Sequence, residues 1–402
     1  MQLPMPRTIL SSMVMGLLVA ACSTLSDEPS PERNDPATTT TGDVHADPAP
    51  DGGRAGGGAS TADGSPSAGP SGGGSAFTVV ANHIKKADGT TFHGRGANLL
   101  DTRFCGACGS APSSGIDAEP GRIAEVNRRM DDLVDNWHAS FIRLDLETLQ
   151  GAPRSGTIAP DSVVSSATYL STVKAIVDHA ATKPGLLLLV SIWDSSSLDS
   201  RGWPTSATNQ ELALLATTFK DHPGVAFGVS NEPENNENGA QDAEAWTRMN
   251  QAVQAVRDAE QAANAKVKHL VAVQGLGSWS RLLGYYVTHP ITAGGGANVV
   301  YEIHVYDPAS AFATMFETYS ASLPIIIGEF GPTSGFMTTA DCASLMVSAE
   351  AHEIPYLAWQ YGMSCAPDLV VDTRSKAACG IGSALTPTSW GNQLKARLAT
   401  PW

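Results

Sequence analysis

Two carboxylates stand at the ends of two apolar runs, Val225-Ala226-Phe227-Gly228-Val229-Ser230-Asn231-Glu232-Pro233 and Pro324-Ile325-Ile326-Ile327-Gly328-Glu329-Phe330-Gly331. Glutamates placed in this way can divide one bond cleavage between them. One, protonated, gives its proton to a leaving oxygen, while the other stabilises or attacks the carbon left behind, which is what breaking a glycosidic bond requires. A lone Glu beside Pro is more often a loop residue or a charge at a helix start. Two of them, each closing an apolar run, form a pattern with chemistry in it.

The elements that must hold these groups follow from periodicity. Neither run has the three-to-four-residue period of an amphipathic helix, so both are expected to be buried parallel strands, which present their reactive groups at their C-terminal ends. Helical spacing is expected over Gly121 to Trp137, Ser171 to Ala181, Gln210 to Lys220, Ala243 to Ala263, Ala311 to Ser320, Ala340 to His352 and Trp390 to Leu398. Between these lie short apolar segments centred on Gly96, Ile142, Leu188, Phe227, Val271, Val300, Ile326 and Leu357. Such an alternation of strand and helix predicts a (β/α)8 TIM barrel, with Glu232 ending its fourth strand and Glu329 its seventh. The structural rival is a doubly wound open sheet, but no Gly-x-Gly-x-x-Gly follows an early strand to support it. A small hairpin is expected ahead of the barrel over His83 to Phe92, turning at Asp88-Gly89.

The motifs Ser230-Asn231-Glu232-Pro233 and Ile327-Gly328-Glu329-Phe330-Gly331 resemble the two signatures of glycoside hydrolase family 5, the cellulase-like retaining β-glycosidases. The likeness runs from about Phe77 to Trp402, and Gly94-Arg95-Gly96-Ala97-Asn98 resembles the family's first barrel strand. The resemblance implies a retaining double displacement with Glu232 as acid/base and Glu329 as nucleophile. It also implies substrate-binding or supporting roles for Asn231, Arg143, His304, Tyr306 and Trp359. Asn231 would bind the sugar 2-hydroxyl, Tyr306 would donate to the nucleophile, His304 would orient the acid/base, and the Trp359 indole would stack on a pyranose. His304 and Tyr306 alternate along one strand and therefore face the same way. The expected electrostatics are a raised pKa on Glu232, from desolvation and the charge of Glu329, and an ionised Glu329 held by Arg143. Trp193, Trp203 and Trp279 are further candidate sugar platforms. The family usually has a histidine at the end of the third strand, where this chain reads Ser191-Ile192-Trp193-Asp194.

The expected activity is hydrolysis of a β-linked glycan, foremost as an endo-β-1,4-glucanase. The alternatives are mannan, xyloglucan or β-1,3-glucan as substrate, or a barrel that binds glycan without cleaving it. No cofactor is expected. A metal-dependent hydrolase ranks last because the strand ends carry no His-x-His pair, so the metal assignment is none. The net charge of −15 leaves nothing to neutralise phosphates, so nucleic acid is not an expected partner and a neutral poly- or oligosaccharide is. A monomer is expected.

Residues 1–21 carry one positive charge, Arg7, and an apolar core from Ile9 to Ala20, and Leu18-Val19-Ala20-Ala21-Cys22 resembles the lipobox of bacterial lipoproteins. This predicts an exported protein held to the outer membrane or cell surface by lipid on Cys22, with plain secretion as the alternative. Residues 22–76 are Gly-, Pro-, Ser-, Thr- and Asp-rich with almost no large apolar side chain, the composition of a tether. The catalytic domain is placed at 77–402. Cys105, Cys108, Cys342, Cys365 and Cys379 are expected to give two disulfides and one free thiol, with Cys105-x-x-Cys108 a loop staple rather than a zinc or redox motif.

Overall fold

Alternation along each strand decides what the strand does here. In the computed structural model, which describes residues 76–104, 120–147, 153–363, 365–371 and 380–402, eight parallel strands close into a barrel. They are β3 (Arg95–Leu100), β4 (Phe141–Glu147), β5 (Leu187–Asp194), β6 (Val225–Gly228), β7 (Leu270–Gln274), β8 (Val299–Val305), β9 (Ile325–Phe330) and β10 (Tyr356–Ala358). β10 pairs with β3 to complete the circle. One set of alternate residues, including Ile142, Leu144, Leu188, Val190, Phe227, Val271, Ile303 and Ile327, packs against the helices. The other set points inward. Near the N-terminal ends it is apolar, with Phe141, Leu187, Leu189, Ala226, Leu270, Ala272, Val300, Ile326 and Leu357 filling the barrel. Two to four residues further along these inward rows come Arg143, Asp145, Gln274, Glu302 and His304, joined by Asn98 from β3. The barrel thus changes from oil to charge along its axis.

Eight α-helices lie among the described residues: α1 (Pro120–Asp131), α2 (Ala167–Ala180), α3 (Ser206–Thr218), α4 (Asp242–Ala262), α5 (Gly284–Thr288), α6 (Thr318–Ser320), α7 (Thr339–Ala351) and α8 (Ser389–Leu398). Their starts are written in the sequence. Thr205 and Thr338 each make a reciprocal capping box, with Thr208 and Asp341 respectively, and Ser166 and Thr388 cap α2 and α8. The stretch expected to be a helix over Ala311 to Ser320 is helical throughout, entered by a 3-10 turn and widened to a π turn over Ala313–Glu317 before α6.

The hairpin differs from expectation by a strand ahead of it. β1 (Phe77–Val80) pairs antiparallel with β2 (His83–Lys86), so the chain turns at Ala81-Asn82. The Asp88-Gly89 turn does form, with Gly89 at φ 83, and the chain returns along β2 from Thr90 to Phe92, the Lys86 N–H bonding the Thr90 carbonyl and the Phe92 N–H the Ile84 carbonyl, each at 2.8 Å. Phe92 is drawn off into the apolar base of the barrel, edge-on to Phe77 at 4.7 Å and to Phe141 at 5.9 Å. With Ile84, these rings join the inner apolar layer and close the N-terminal end.

The expected signal segment, Cys22, nearly all of the linker, and Cys105, Cys108 and Cys379 lie outside the described residues. Cys365 is disulfide-bonded and Cys342 is a free, buried thiol.

Candidate active site

The site is assembled around Arg143, which β4 carries inward above Phe141. Its guanidinium has no exposure to solvent and every face of it is met by acid or amide. Nη1 donates to Glu329 Oε1 at 2.7 Å and to Asn98 Oδ1 at 3.0 Å, and Nη2 donates to Asn231 Oδ1 at 2.8 Å. Nε lies 3.3 Å from Glu302 Oε1, and Nη1 lies 3.2 Å from Asp145 Oδ1. Burial alone would lower the Arg143 pKa, but Asp145, Glu302 and Glu329 together raise it, so it is a fixed cation.

Glu232 and Glu329 open onto the same end of the barrel. Oxygens of the two carboxylates and a ring nitrogen of His304 all lie within 4.8 Å of one another. His304 Nδ1 is 3.0 Å from Glu232 Oε1 and 3.6 Å from Glu329 Oε1, and Nε2 is 3.1 Å from Glu302 Oε1. Tyr306 donates to Glu329 Oε2 at 3.1 Å. Asn98 Nδ2 donates to the Gly328 carbonyl at 2.9 Å, fixing the backbone that precedes the second carboxylate. That backbone carries a bulge: Ile303 pairs with Ile327 but His304 with Glu329, leaving Gly328 unpaired between them. Glu232 sits at φ 42, in the left-handed region that a Glu rarely adopts, and its N–H reaches Gln274 Oε1 at 3.3 Å.

The charges settle differently from the expected order. Desolvation would lower His304, yet the charge of Glu329 and the bonds to Glu232 and Glu302 hold its pKa up at about 10, so it is an imidazolium at neutral pH. Burial would raise Glu232, but the His304 hydrogen bond and charge outweigh it and hold Glu232 below the usual carboxylate range. Glu329 lies above that range because burial and the charge of Glu232 outweigh His304 and Arg143. Glu232 is thus shifted down where a rise was expected, because a charged histidine bonds it, and Glu329 is shifted up although Arg143 holds it. The three groups form a hydrogen-bonded set, with His304 Nδ1 bonded to Glu232.

Of the residues named from sequence, Arg143, Asn231, Glu232, His304, Tyr306 and Glu329 converge on one cluster. Trp359 is placed otherwise than as an open platform. It is 5% exposed, its Nε1 donates to the Cys365 carbonyl at 2.8 Å, and Trp193 stacks on it at 5.4 Å and 26°. Trp193, at the position where the third-strand histidine is missing, thus covers an indole face that a sugar was expected to meet. Trp203 is wholly buried, with the Arg201 guanidinium 3.7 Å above its ring, and is not a platform. Trp279 is partly exposed, its backbone N–H bonded to the Pro233 carbonyl beside Glu232. The sequence reading missed Asn98, Asp145, Gln274 and Glu302. A signal for two of them was present: Glu302 shares the alternation of His304 and Tyr306, and Asp145 that of Arg143.

Residues 118–364 match the cellulase (glycosyl hydrolase family 5) family. The chain belongs to glycoside hydrolase family 5. This family 5 barrel is a glycoside hydrolase acting on β-linked glycan. No curated protein sequence matches it. Among solved structures it is similar to the catalytic domain of an endoglucanase from Thermobifida fusca, with 16% identity, a TM-score of 0.59, and 81% of this chain and 97% of that chain covered. A variant of that endoglucanase is in complex with cellotetraose. A β-glucanase from Saccharophagus degradans is 17% identical, with a TM-score of 0.59 over 81% of this chain and 93% of its own. A mannanase catalytic domain from Streptomyces sp. SirexAA-E is 22% identical, with a TM-score of 0.55 over 81% of this chain and 90% of its own. At such identities the likeness carries the shared barrel and not the choice of sugar.

Proposed function

We propose that the protein is a retaining endo-β-1,4-glucanase that works by double displacement, with Glu329 as nucleophile and Glu232 as acid/base. The observation that carries this reading is the approach of the two carboxylates to within 4.8 Å. Retaining enzymes hold theirs about 5–5.5 Å apart, whereas inverting enzymes leave about 6.5–9.5 Å for a water molecule. In the first step, entered with the proton of the coupled carboxylate pair on Glu232 and the charge on Glu329, a Glu329 oxygen bonds to the anomeric carbon, the glycosidic C–O bond breaks, and the leaving oxygen takes that proton from Glu232. In the second, Glu232 removes a proton from water, and the water oxygen displaces Glu329 from the same carbon. Arg143 and Tyr306 each hold one Glu329 oxygen and aim the carboxylate at the sugar. Asn231, its Oδ1 fixed by Arg143, turns its amide donor to the sugar 2-hydroxyl.

The test is a panel of carboxymethylcellulose, barley β-glucan, laminarin, xyloglucan, mannan and xylan, with products identified by mass and the first-formed anomer read by NMR. Cello-oligosaccharides of mixed length released as the β-anomer are expected. An α-anomer would overturn the retaining mechanism, and cleavage of mannan or laminarin alone would overturn the glucan assignment. The same reading has the protein exported and lipid-anchored through Cys22, on the support of Leu18-Val19-Ala20-Ala21-Cys22. Labelled palmitate should then enter the parent protein and not Cys22→Ser, and free secretion of an unlabelled parent would leave only a plain export signal.

A further inference from the structure

Glu302 is a carboxylate with no exposure to solvent, inside the buried strand β8. Its surroundings are built for it. Across β9 the unpaired Gly328 leaves the space it occupies, since a Cβ on Gly328 would run into the Glu302 carboxylate. Across β7 its direct register partner is Gln274. Oε1 meets His304 Nε2 at 3.1 Å and Arg143 Nε at 3.3 Å. The Gln274 amide also acts on it, at a geometry looser than a formal hydrogen bond.

Two chains of contact lead from this one carboxylate to Glu232. Through His304 it reaches the Glu232 side chain, by Nε2 to Glu302 and Nδ1 to Glu232. Through Gln274 it reaches the Glu232 backbone, whose N–H bonds to Oε1 of that amide. Both matter because Glu232 keeps 24% of its side chain exposed and sits at a left-handed φ of 42. Such a residue holds its place only where its surroundings over-determine it. We propose that Glu302 is a positioning residue for Glu232, fixing its carboxyl through His304 and its main chain through Gln274.

The inference deepens the retaining-hydrolase reading and rests on it for the role of Glu232. Its consequence is electrostatic as well as geometric. The charged groups that act on His304 are Asp145 from β4, Glu232 beyond β6, Glu302 from β8 and Glu329 from β9, and Arg143 from β4 bonds two of these acids. Of the acids that keep its ring charged, Glu302 alone holds Nε2. Losing that charge makes His304 release its proton at lower pH.

Glu302→Gln, nearly identical in shape, is the test. With an aryl β-glycoside or a soluble β-glucan, kcat is expected to fall by about 10²-fold, the penalty of a small misplacement, with KM little changed. The alkaline limb of kcat/KM is expected to move acidward by about 1–3 pH units, the span a neighbouring charge is worth. If Glu302 only fills the space behind Gly328, the variant keeps the parent's pH profile and the proposal fails. Should the variant not fold, 15N NMR of the parent's histidines, with His304 assigned by its loss in His304→Asn, decides the matter. Both ring nitrogens protonated at pH 8 are expected, and a neutral ring overturns the proposal. The NMR readout needs no turnover, so a parent inactive on every glycan would count against the proposed function while leaving this inference to its own result.

Discussion

Glu232 and Glu329 have the same side chain and are separated by what reaches them. Arg143 and Tyr306 occupy both oxygens of Glu329, which leaves that carboxylate aimed and unable to turn. Glu232 is held on one oxygen by His304 and is free to meet a leaving group. Glu232→Ala should therefore lower kcat by about 10²–10⁴-fold on a glycan, the usual contribution of a general acid. It should slow the first step far less on a dinitrophenyl β-glycoside, whose leaving oxygen needs no proton. Added azide should restore turnover on that substrate and yield a β-glycosyl azide. Equal losses on the two substrates, or an α-azide, would show that the roles of the two carboxylates are misassigned. Both glutamates were legible in the sequence because each closes an apolar run. Glu302 and Asp145 were not, although their alternation with His304 and Arg143 was there to see. An acid inside an apolar strand is tolerable only beside a three-dimensional partner, here Arg143 for Asp145 and both Arg143 and His304 for Glu302, which no local signal reports. The order of the carboxylate pKa values was equally hidden, since it depends on a histidine from another strand bonding one acid and not the other.

At the scale of elements, the barrel divides its labour between its two ends. The eight-strand alternation could be read from apolar spacing because every core strand is a continuous run between helices. What could not be read was register: the bulge that leaves Gly328 unpaired looks in sequence like one more strand residue, and Asp88-Gly89 signals a hairpin turn more strongly than Ala81-Asn82 does. The hairpin's true partner is the base of the barrel, which no local signal reports. This gives the hairpin a job of stability alone. Phe92 is 3% exposed between Phe77 and Phe141, and Phe92→Ala opens a cavity costing about 3–5 kcal/mol. A loss of roughly 5–15 °C in Tm is expected, with kcat and KM at 25 °C unchanged, because conserved chemistry in such barrels sits at the other end of the strands. A variant that melts normally, or one that melts early and is also slow when folded, would contradict this division.

At the scale of the molecule, the charges enclosed by the barrel make folding itself a function of pH. His304 is raised from 6.5 to about 10. Its contribution is whole below 6.5, where the unfolded chain is protonated too, and is lost as pH rises from 6.5 towards 10. Asp145 acts in the same direction. Burial pushes its carboxyl well above the ordinary value of 3.8, more strongly than Arg143 pulls it down, so from 3.8 upward the unfolded chain sheds a proton that the folded one keeps, and stability declines. Glu302 and Glu232 act oppositely: burial raises each, but Arg143 and His304 bring Glu302, and His304 above all Glu232, below 4.5, so their contributions are present above 4.5 and disappear as pH falls. Stability should therefore peak in weak acid and decline towards pH 10, a slope to which the net charge of −15 also adds self-repulsion. Asp145→Asn isolates the interior share, since it leaves the surface as it was. If Asp145 is neutral in the folded barrel, the amide replaces it without losing an ion pair, and Tm of the variant at pH 7 should exceed the parent's while the two converge at pH 3.5. If Asp145 is instead an ionised partner of Arg143, breaking that buried pair should destabilise the barrel at pH 7 by about 3–5 kcal/mol. Tm series on the two proteins across that pH range separate the outcomes by the sign of the difference alone.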